Sequence, residues 1–188
     1  MCKNKDKVIL IITHNDNLKP LRNILLSIGE YNKYPIEIHI NRKNESNYEL
    51  GGLKRIYDNK PQYKEIFILQ DTFEVKDNKI FDRVFEEHNG KSVFINQDGQ
   101  MYCCKYRRDV LDNINIPLPR NKIEAINYEL EFNNNYRKLD NPIILFPNFV
   151  DSHNKFEDKF GRRNMIIENK YLKKYKGTWS PGMVKEDD

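Results

Sequence analysis

The sequence predicts an α/β fold built on an open sheet with helices packed against it. Three observations carry this. Val8-Ile9-Leu10-Ile11-Ile12 is a continuous apolar run rich in β-branched residues, the pattern of a strand buried on both faces. Leu18, Leu21, Leu25, Leu26 and Ile28 then recur at helical spacing. Ile36 to Ile40 alternates apolar and polar residues, as a second strand does. Strand, helix and strand in that order form the βαβ opening of an α/β sheet.

Each further element follows from the same signals. Thr13 to Asn17 is a polar loop with good helix N-caps, and Pro20 falls early in the helix, where it is tolerated. After the polar stretch Asn41 to Asn47, Leu50-Gly51-Gly52-Leu53 starts a short helix that runs through Tyr57. Glu65 to Leu69 is a third strand, ending abruptly in Gln70-Asp71-Thr72. Ile80 to His88 reads as a helix with Phe81, Val84 and Phe85 on one face. Ser92 to Ile95 and Gln100 to Tyr106 read as strands, and Ile143 to Phe146 as another between two prolines. Lys122 to Arg137 has helical periodicity through Ile123, Ile126, Leu130 and Phe132. Phe156 to Trp179 is basic and aromatic, and Ser180 to Asp188 reads as a frayed end.

Composition narrows the class. The chain has 188 residues, which suits one domain. Aromatic residues make up 12%, too many for wholesale disorder. The 24 asparagines are scattered, with no sustained low-complexity tract. Net charge is only +4, a weak excess for a dedicated nucleic-acid binder, so no nucleic-acid partner is expected. Cys2, Cys103 and Cys104 make a poor disulfide framework and contain no CxxC pair, which points to a reducing compartment. The apolar run after the charged N-terminus is too short for a signal sequence, and nothing approaches a membrane span. A soluble, cytoplasmic protein is expected.

In open α/β sheets ligands bind beyond the carboxyl ends of the strands. Three such ends carry polar residues: Thr13-His14-Asn15, Asn41-Arg42 and Gln70-Asp71-Thr72. Asp71, directly after a buried strand, is placed to hold a hard cation that bridges to phosphate oxygens. Its alternative is a turn or N-cap residue.

Several segments resemble a known family. Val8 to Asn15 resembles the first strand and nucleotide loop of family 2-like glycosyltransferases of the GT-A fold. Tyr48-Glu49-Leu50-Gly51-Gly52-Leu53-Lys54 resembles the segment before their metal strand, and Ile66 to Thr72 the DxD-type strand. Phe160 to Met165 and Lys173 to Trp179 look like the tails of small transferases of this type from large DNA viruses and related microbial genomes. The resemblance spans roughly residues 7–179. It implies a single GT-A-like, Rossmann-like domain over residues 1–179, an open mixed sheet flanked by helices, with a flexible tail at 180–188.

The activity it implies is transfer of a sugar from a UDP- or GDP-type nucleotide-diphosphate donor to a glycan or glycoprotein hydroxyl, with inversion. Mn²⁺ or Mg²⁺ would sit at the DxD-like turn. Thr13, His14 and Asn15 would line the nucleoside pocket, Asn41 would touch base or ribose, and Lys54 would approach the donor. Gln70 and Asp71 would meet the donor, Asp71 also as metal ligand. The last position of the motif is Thr72 rather than a carboxylate, so Glu74 or His153 would have to complete a metal site. Arg162, Arg163, Lys173, Lys174 and Lys176 form a basic tail able to close over a diphosphate. An inverting enzyme needs a base for the acceptor hydroxyl. The resemblance puts it near the start of a helix, with Glu124 the first choice, Glu129 the second and Glu131 the third.

Three other classes compete. A nucleotidyltransferase would carry a Gly-rich loop after the first strand, and Thr13 to Asn17 contains no glycine. A nucleic-acid binder would gather its aromatics, which here are dispersed. A non-catalytic GT-A-like nucleotide-sugar-binding or interaction module is kept open by Thr72.

Overall fold

A computed structural model of the chain describes residues 4–14, 18–41, 48–96, 101, 103–147, 149 and 165–176. The first apolar run forms β1 (Lys7–His14), and Val8 to Ile12 are all fully buried. Helix α1 (Leu18–Ile28) leads to β2 (Ile36–Asn41), and α2 (Tyr48–Asn59) leads to β3 (Glu65–Gln70). Both β2 and β3 pair parallel to β1, one on each side. Right-handed crossovers to opposite sides require helices on opposite faces. That is what the packing shows: Leu21, Ile24 and Ile28 of α1 join Ile9 and Ile11 in one core, while Leu50, Leu53 and Ile56 of α2 join Val8, Leu10 and Ile12 in the other. The carboxyl end of β1 is therefore the switch point of the sheet, where ligands of such folds bind.

The chain continues through β4 (Phe73–Val75), α3 (Lys79–Asp82), a π-helical turn (Arg83–Glu87), β5 (Val93–Phe94), β6 (Cys103–Arg107) and α4 (Arg108–Leu111). Then come α5 (Lys122–Leu139), β7 (Ile143–Ile144), β8 (Met165–Glu168) and β9 (Leu172–Lys176). The main sheet has six strands in the order β2-β1-β3-β6-β5-β7, and it is mixed because β6 runs antiparallel to both β3 and β5. The fold is thus α/β, a six-stranded mixed sheet flanked by helices. No helix among the described residues is long and apolar enough to cross a membrane.

A second sheet, β4-β9-β8, was not legible in the sequence. Its middle strand reads Leu172-Lys173-Lys174-Tyr175-Lys176, which lacks the apolar alternation of a strand. It forms because β4 and β8 pair with it on either side, and because Leu172 buries fully in the first core. Helix α5 corrects another expectation. Ile123, Ile126 and Leu130 do not face the core; Ile123 is 74% exposed. The buried positions are Ala125, Phe132, Asn133 and Tyr136, with Glu129 on the same face.

Two devices fix α2 relative to the sheet. At its C-terminus the Arg108 guanidinium donates to the carbonyls of Tyr57, Lys60 and Tyr63 at 2.8–3.0 Å, supplying partners the last helical turn lacks. Near its N-terminus Gly52 lies against β1 and β2; a Cβ there would stand 2.9 Å from Ile12 Cδ1 and 3.2 Å from His39 Cδ2. The missing side chain lets the start of α2 approach the carboxyl edge of the sheet.

Candidate functional site

Strand alternation divides the carboxyl edge into two halves. Residues 9 and 11 of β1, and 67 and 69 of β3, face the core with α1; residues 8, 10, 12, 66 and 68 face the core with α2 and α5. Continued to the strand ends and one step past β3, the pattern sends Thr13 and Asp71 to one face and Gln70 to the other.

In the first half the register brings Thr13 to Asp71. Ile12 lies between His39 of β2 and Gln70 of β3, and the Asp71 amide donates to the Ile12 carbonyl at 2.9 Å. Thr13 Oγ1 then donates to Asp71 Oδ2 at 2.5 Å. Thr13 is fully buried and Asp71 only 5% exposed, so this carboxylate is turned into the rim rather than toward bulk water. Asn41, also buried, ends β2 opposite His14, and its side-chain oxygen meets a His39 ring nitrogen at 3.1 Å.

In the second half Gln70 Nε2 donates to Glu49 Oε1, and Thr72 Oγ1 donates to Gln70 Oε1 at 3.3 Å. Glu49 is 2% exposed at the start of α2, and Glu129 on α5 lies within electrostatic reach of it. Burial first, and then the Glu49 carboxylate, raise the Glu129 carboxyl well above the usual carboxylate range. Tyr48, next to Glu49, has φ of 45°, a left-handed conformation that costs a residue with a Cβ about 1–2 kcal/mol. Strain of this kind concentrates where a site over-determines the backbone.

Between the halves stands Lys174. Its strand pairs with β4, which follows Asp71 and Thr72 directly, with Lys174 opposite Phe73. The ammonium is buried, lies 5.6 Å from the centre of the Phe73 ring, and acts electrostatically on both Cys103 and Glu129. The basic tail thus brings at least one lysine to the sheet edge. Cys103 and Cys104 are buried, and burial raises both thiols, Cys104 to about 12, so neither is ionised at neutral pH.

Other expected site residues stand elsewhere or are not described. Glu124 is a helix-start residue: its carboxylate accepts from the Arg120 amide at 2.9 Å and from the Arg120 guanidinium at 2.8 Å. These bonds hold its carboxyl below the usual range, the wrong direction for a base at neutral pH. Glu129, the second choice, is the glutamate that reaches the sheet edge. Lys54 pairs with Asp58 one turn along α2 at 3.1 Å, two positions from Gly52 and so on the side of the helix away from the sheet. Glu131 is exposed and lines a groove of about 310 Å³ with Ile114, Pro117, Tyr128 and Phe132, apart from Thr13, Gln70 and Asp71. His14 ends β1, but its side chain, like Asn15, His153, Arg162 and Arg163, lies outside the described residues.

Among the described residues no three His, Cys, Asp or Glu side chains gather as a metal-holding set. Asp71 brings one carboxylate, held by Thr13, and Glu49 is engaged with Gln70. The described side chains therefore do not fit a resident divalent ion by themselves.

Sequence reasoning missed Glu49 as a site residue. It lies inside the segment that resembles the family, yet no linear spacing pairs it with Glu129 on a helix far along the chain. No protein-family model, curated protein or solved structure matches the chain.

Proposed function

We propose that the protein is a GT-A-like glycosyltransferase that moves a sugar from a nucleotide-diphosphate donor to a glycan or glycoconjugate hydroxyl. One observation carries the reading. The parallel register gathers Thr13, Asn41, Gln70 and Asp71 at the switch point of the sheet, together with a glutamate pair and a buried lysine. Thr13, Asn41 and Asp71 are placed to hold the nucleoside and ribose. Lys174 is placed to meet negative charge as it develops on the leaving diphosphate, the role a protein cation can fill. The Glu129 side is placed to take the acceptor proton. Mn²⁺ or Mg²⁺ enters the reading only as an ion brought with the donor's phosphates, with Asp71 as its one described protein ligand; no step is derived through it.

The test is thermal unfolding with UDP-, GDP- and dTDP-sugars, with and without Mn²⁺. One nucleotide class should raise Tm, because a ligand that binds only the folded state stabilises it by mass action. Asp71→Asn should remove that shift. A wild-type protein that ignores every donor sinks the reading. The lack of a second metal carboxylate at Thr72 favours one alternative, a nucleotide-sugar-binding module without activity. It would show the Tm shift but neither transfer nor donor hydrolysis.

A further inference from the structure

Beside α5 runs a groove of about 310 Å³, at the lower end of the sizes that small-ligand sites take. One wall is α5 itself. Tyr128, Glu131, Phe132 and Asn135 recur at i, i+3, i+4 and i+7, so they share one stripe of the helix. The other wall is the segment after α4, and the fold holds it in place. The Asn113 and Ile114 amides donate to the Val110 and Leu111 carbonyls at 3.1 and 3.2 Å. The Asn113 side chain donates to the Asp109 carbonyl at 2.9 Å, and Ile116 is buried in the core shared with Phe132.

The lining has two chemistries. Phe132, 2% exposed, forms the base, with the half-buried Ile114, Pro117 and Tyr128 around it. The rest is polar: Asn115, Glu131 and Asn135. The Asn135 oxygen accepts from Lys138 Nζ at 3.0 Å, which leaves its amide hydrogens to donate. Among the described residues Asn115, Glu131 and the Tyr128 hydroxyl have no hydrogen-bond partner. The rim thus carries unspent amide donors, a carboxylate acceptor and a hydroxyl that does both.

Charge and polarity select the ligand. No Lys or Arg lines the groove; Arg120 and Lys138 stand outside it, on Glu124 and on the Asn135 oxygen. A phosphate or carboxylate would meet Glu131 with no cation to offset it. A wholly apolar ligand would strip water from three polar side chains and return no hydrogen bonds. A sugar ring satisfies both halves. Its C–H face lies on apolar and aromatic surface, while its hydroxyls both donate and accept. A carboxylate takes O–H bonds from two neighbouring hydroxyls, and an amide answers a third with a donor and an acceptor.

We propose that the groove between α5 and the segment after α4 binds a neutral glycan. The role it then has, holding the acceptor chain, rests on the transferase reading above; the binding does not. Tyr128 is the chain neighbour of Glu129, so a glycan in the groove lies along the helix that carries Glu129 to the sheet edge. The groove stands apart from Thr13, Gln70 and Asp71, so its contacts are the same before and during transfer. Such contacts lower KM and leave kcat alone.

The experiment is an amide chemical-shift titration of the full chain with neutral trisaccharides of glucose, mannose, galactose and N-acetylglucosamine, α- and β-linked. At least one should move residues 114–117 and 128–135 saturably. Asn115→Ala, at an exposed side chain with no bond in the fold, should weaken that binding about three- to tenfold, the worth of one hydrogen bond. Tyr128→Ala should weaken it about tenfold or more. No saturable shift with any sugar, shifts confined to other residues, or full affinity in Asn115→Ala overturns the proposal. So does a decaproline peptide that fills the groove when the sugars do not. Asn115→Ala decides the matter even if Tyr128→Ala fails to fold. With a donor found by thermal shift, Asn115→Ala should keep the donor-induced Tm shift and kcat while raising KM for the glycan. Donor binding without glycan binding sinks this site and leaves the transferase reading standing. Glycan binding in a protein that ignores every donor supports the site and sinks the transferase reading.

Discussion

The two edges of the parallel strands both bury charge, and they use it differently. At the amino edge Lys105, fully buried, donates to Glu65 Oε2 at 2.9 Å and to the His88 carbonyl at 2.8 Å. Lys7 donates to the Phe85 carbonyl at 2.9 Å and Asn89 Oδ1 at 2.7 Å, and the Gly90 amide donates to Glu65 Oε1 at 2.6 Å. Unlike charges meet there, and the spare donors tie down the π-helical turn and the residues after it. At the carboxyl edge Glu49 is buried within electrostatic reach of a second carboxyl, Glu129, which burial and that like-charged neighbour raise. The first arrangement holds the fold together. The second stores a mismatch that costs stability, and such mismatches cluster at functional sites. Burial of charge alone therefore does not mark a site; burial of charge against its own sign does.

The largest expected effect tests the amino edge. Lys105→Met leaves Glu65 buried without its ammonium, and removing one partner of a buried pair costs about 3–5 kcal/mol. For a chain this size that lowers Tm by roughly 6–20 °C. Unchanged urea unfolding would erase the contrast between the edges.

Glu129→Gln should move stability the other way. The folded state keeps a proton that the unfolded chain releases above its ordinary value of 4.5, so this carboxyl's contribution to stability falls as pH rises from there through its raised folded-state value. The amide carries no charge to bury beside Glu49 and needs no such proton. Thermal melts at pH 8 should show the variant ahead by ~1–2 kcal/mol, with the gap closing toward pH 5. A less stable variant at pH 8 would make the pair a structural element like its counterpart at the amino edge.

Gly52→Ala sharpens the carboxyl edge. The gain in helix propensity is about 1 kcal/mol, while overpacking against Ile12 and His39 costs about 1–3 kcal/mol. A net loss of about 1 kcal/mol is expected by chemical denaturation, with a shifted Glu129 titration because Glu49 rides on α2. The smallest effect belongs to Lys54→Met, on the outward face of α2. Stability should change by less than about 0.5 kcal/mol, and donor-induced Tm shifts should be unaltered. Loss of donor binding would place Lys54 back in the site.

Much of the fold was legible because it rests on local pattern. β1 could be read from Val8 to Ile12, and α1 as a helix from its apolar spacing, although Leu18 and Leu26 of that pattern are exposed and the buried stripe is Leu21, Ile24 and Ile28. Helix α5 was legible as a helix, but its inward face was not. Its most apolar stripe faces outward, while Asn133 takes a fully buried position, and Glu129 a partly buried one on the same face, that residue type alone assigns to the surface. Strand β9 was hidden for the same reason, its lysines giving no sign that partners on both sides would make it a strand.

The chain's own pattern determined that polar groups would end three strands, and Asp71, after the buried β3, could be picked out from that alone. Only tertiary structure decided which groups meet. Register set Thr13 against Asp71, strand alternation sent Gln70 to the opposite face, and the approach of α2 to α5 brought Glu49 to Glu129. The physical reason is range. Periodicity reports which face of one element is buried, but a hydrogen-bonded carboxylate or a buried ammonium depends on distances between elements far apart in sequence, and no local pattern encodes those.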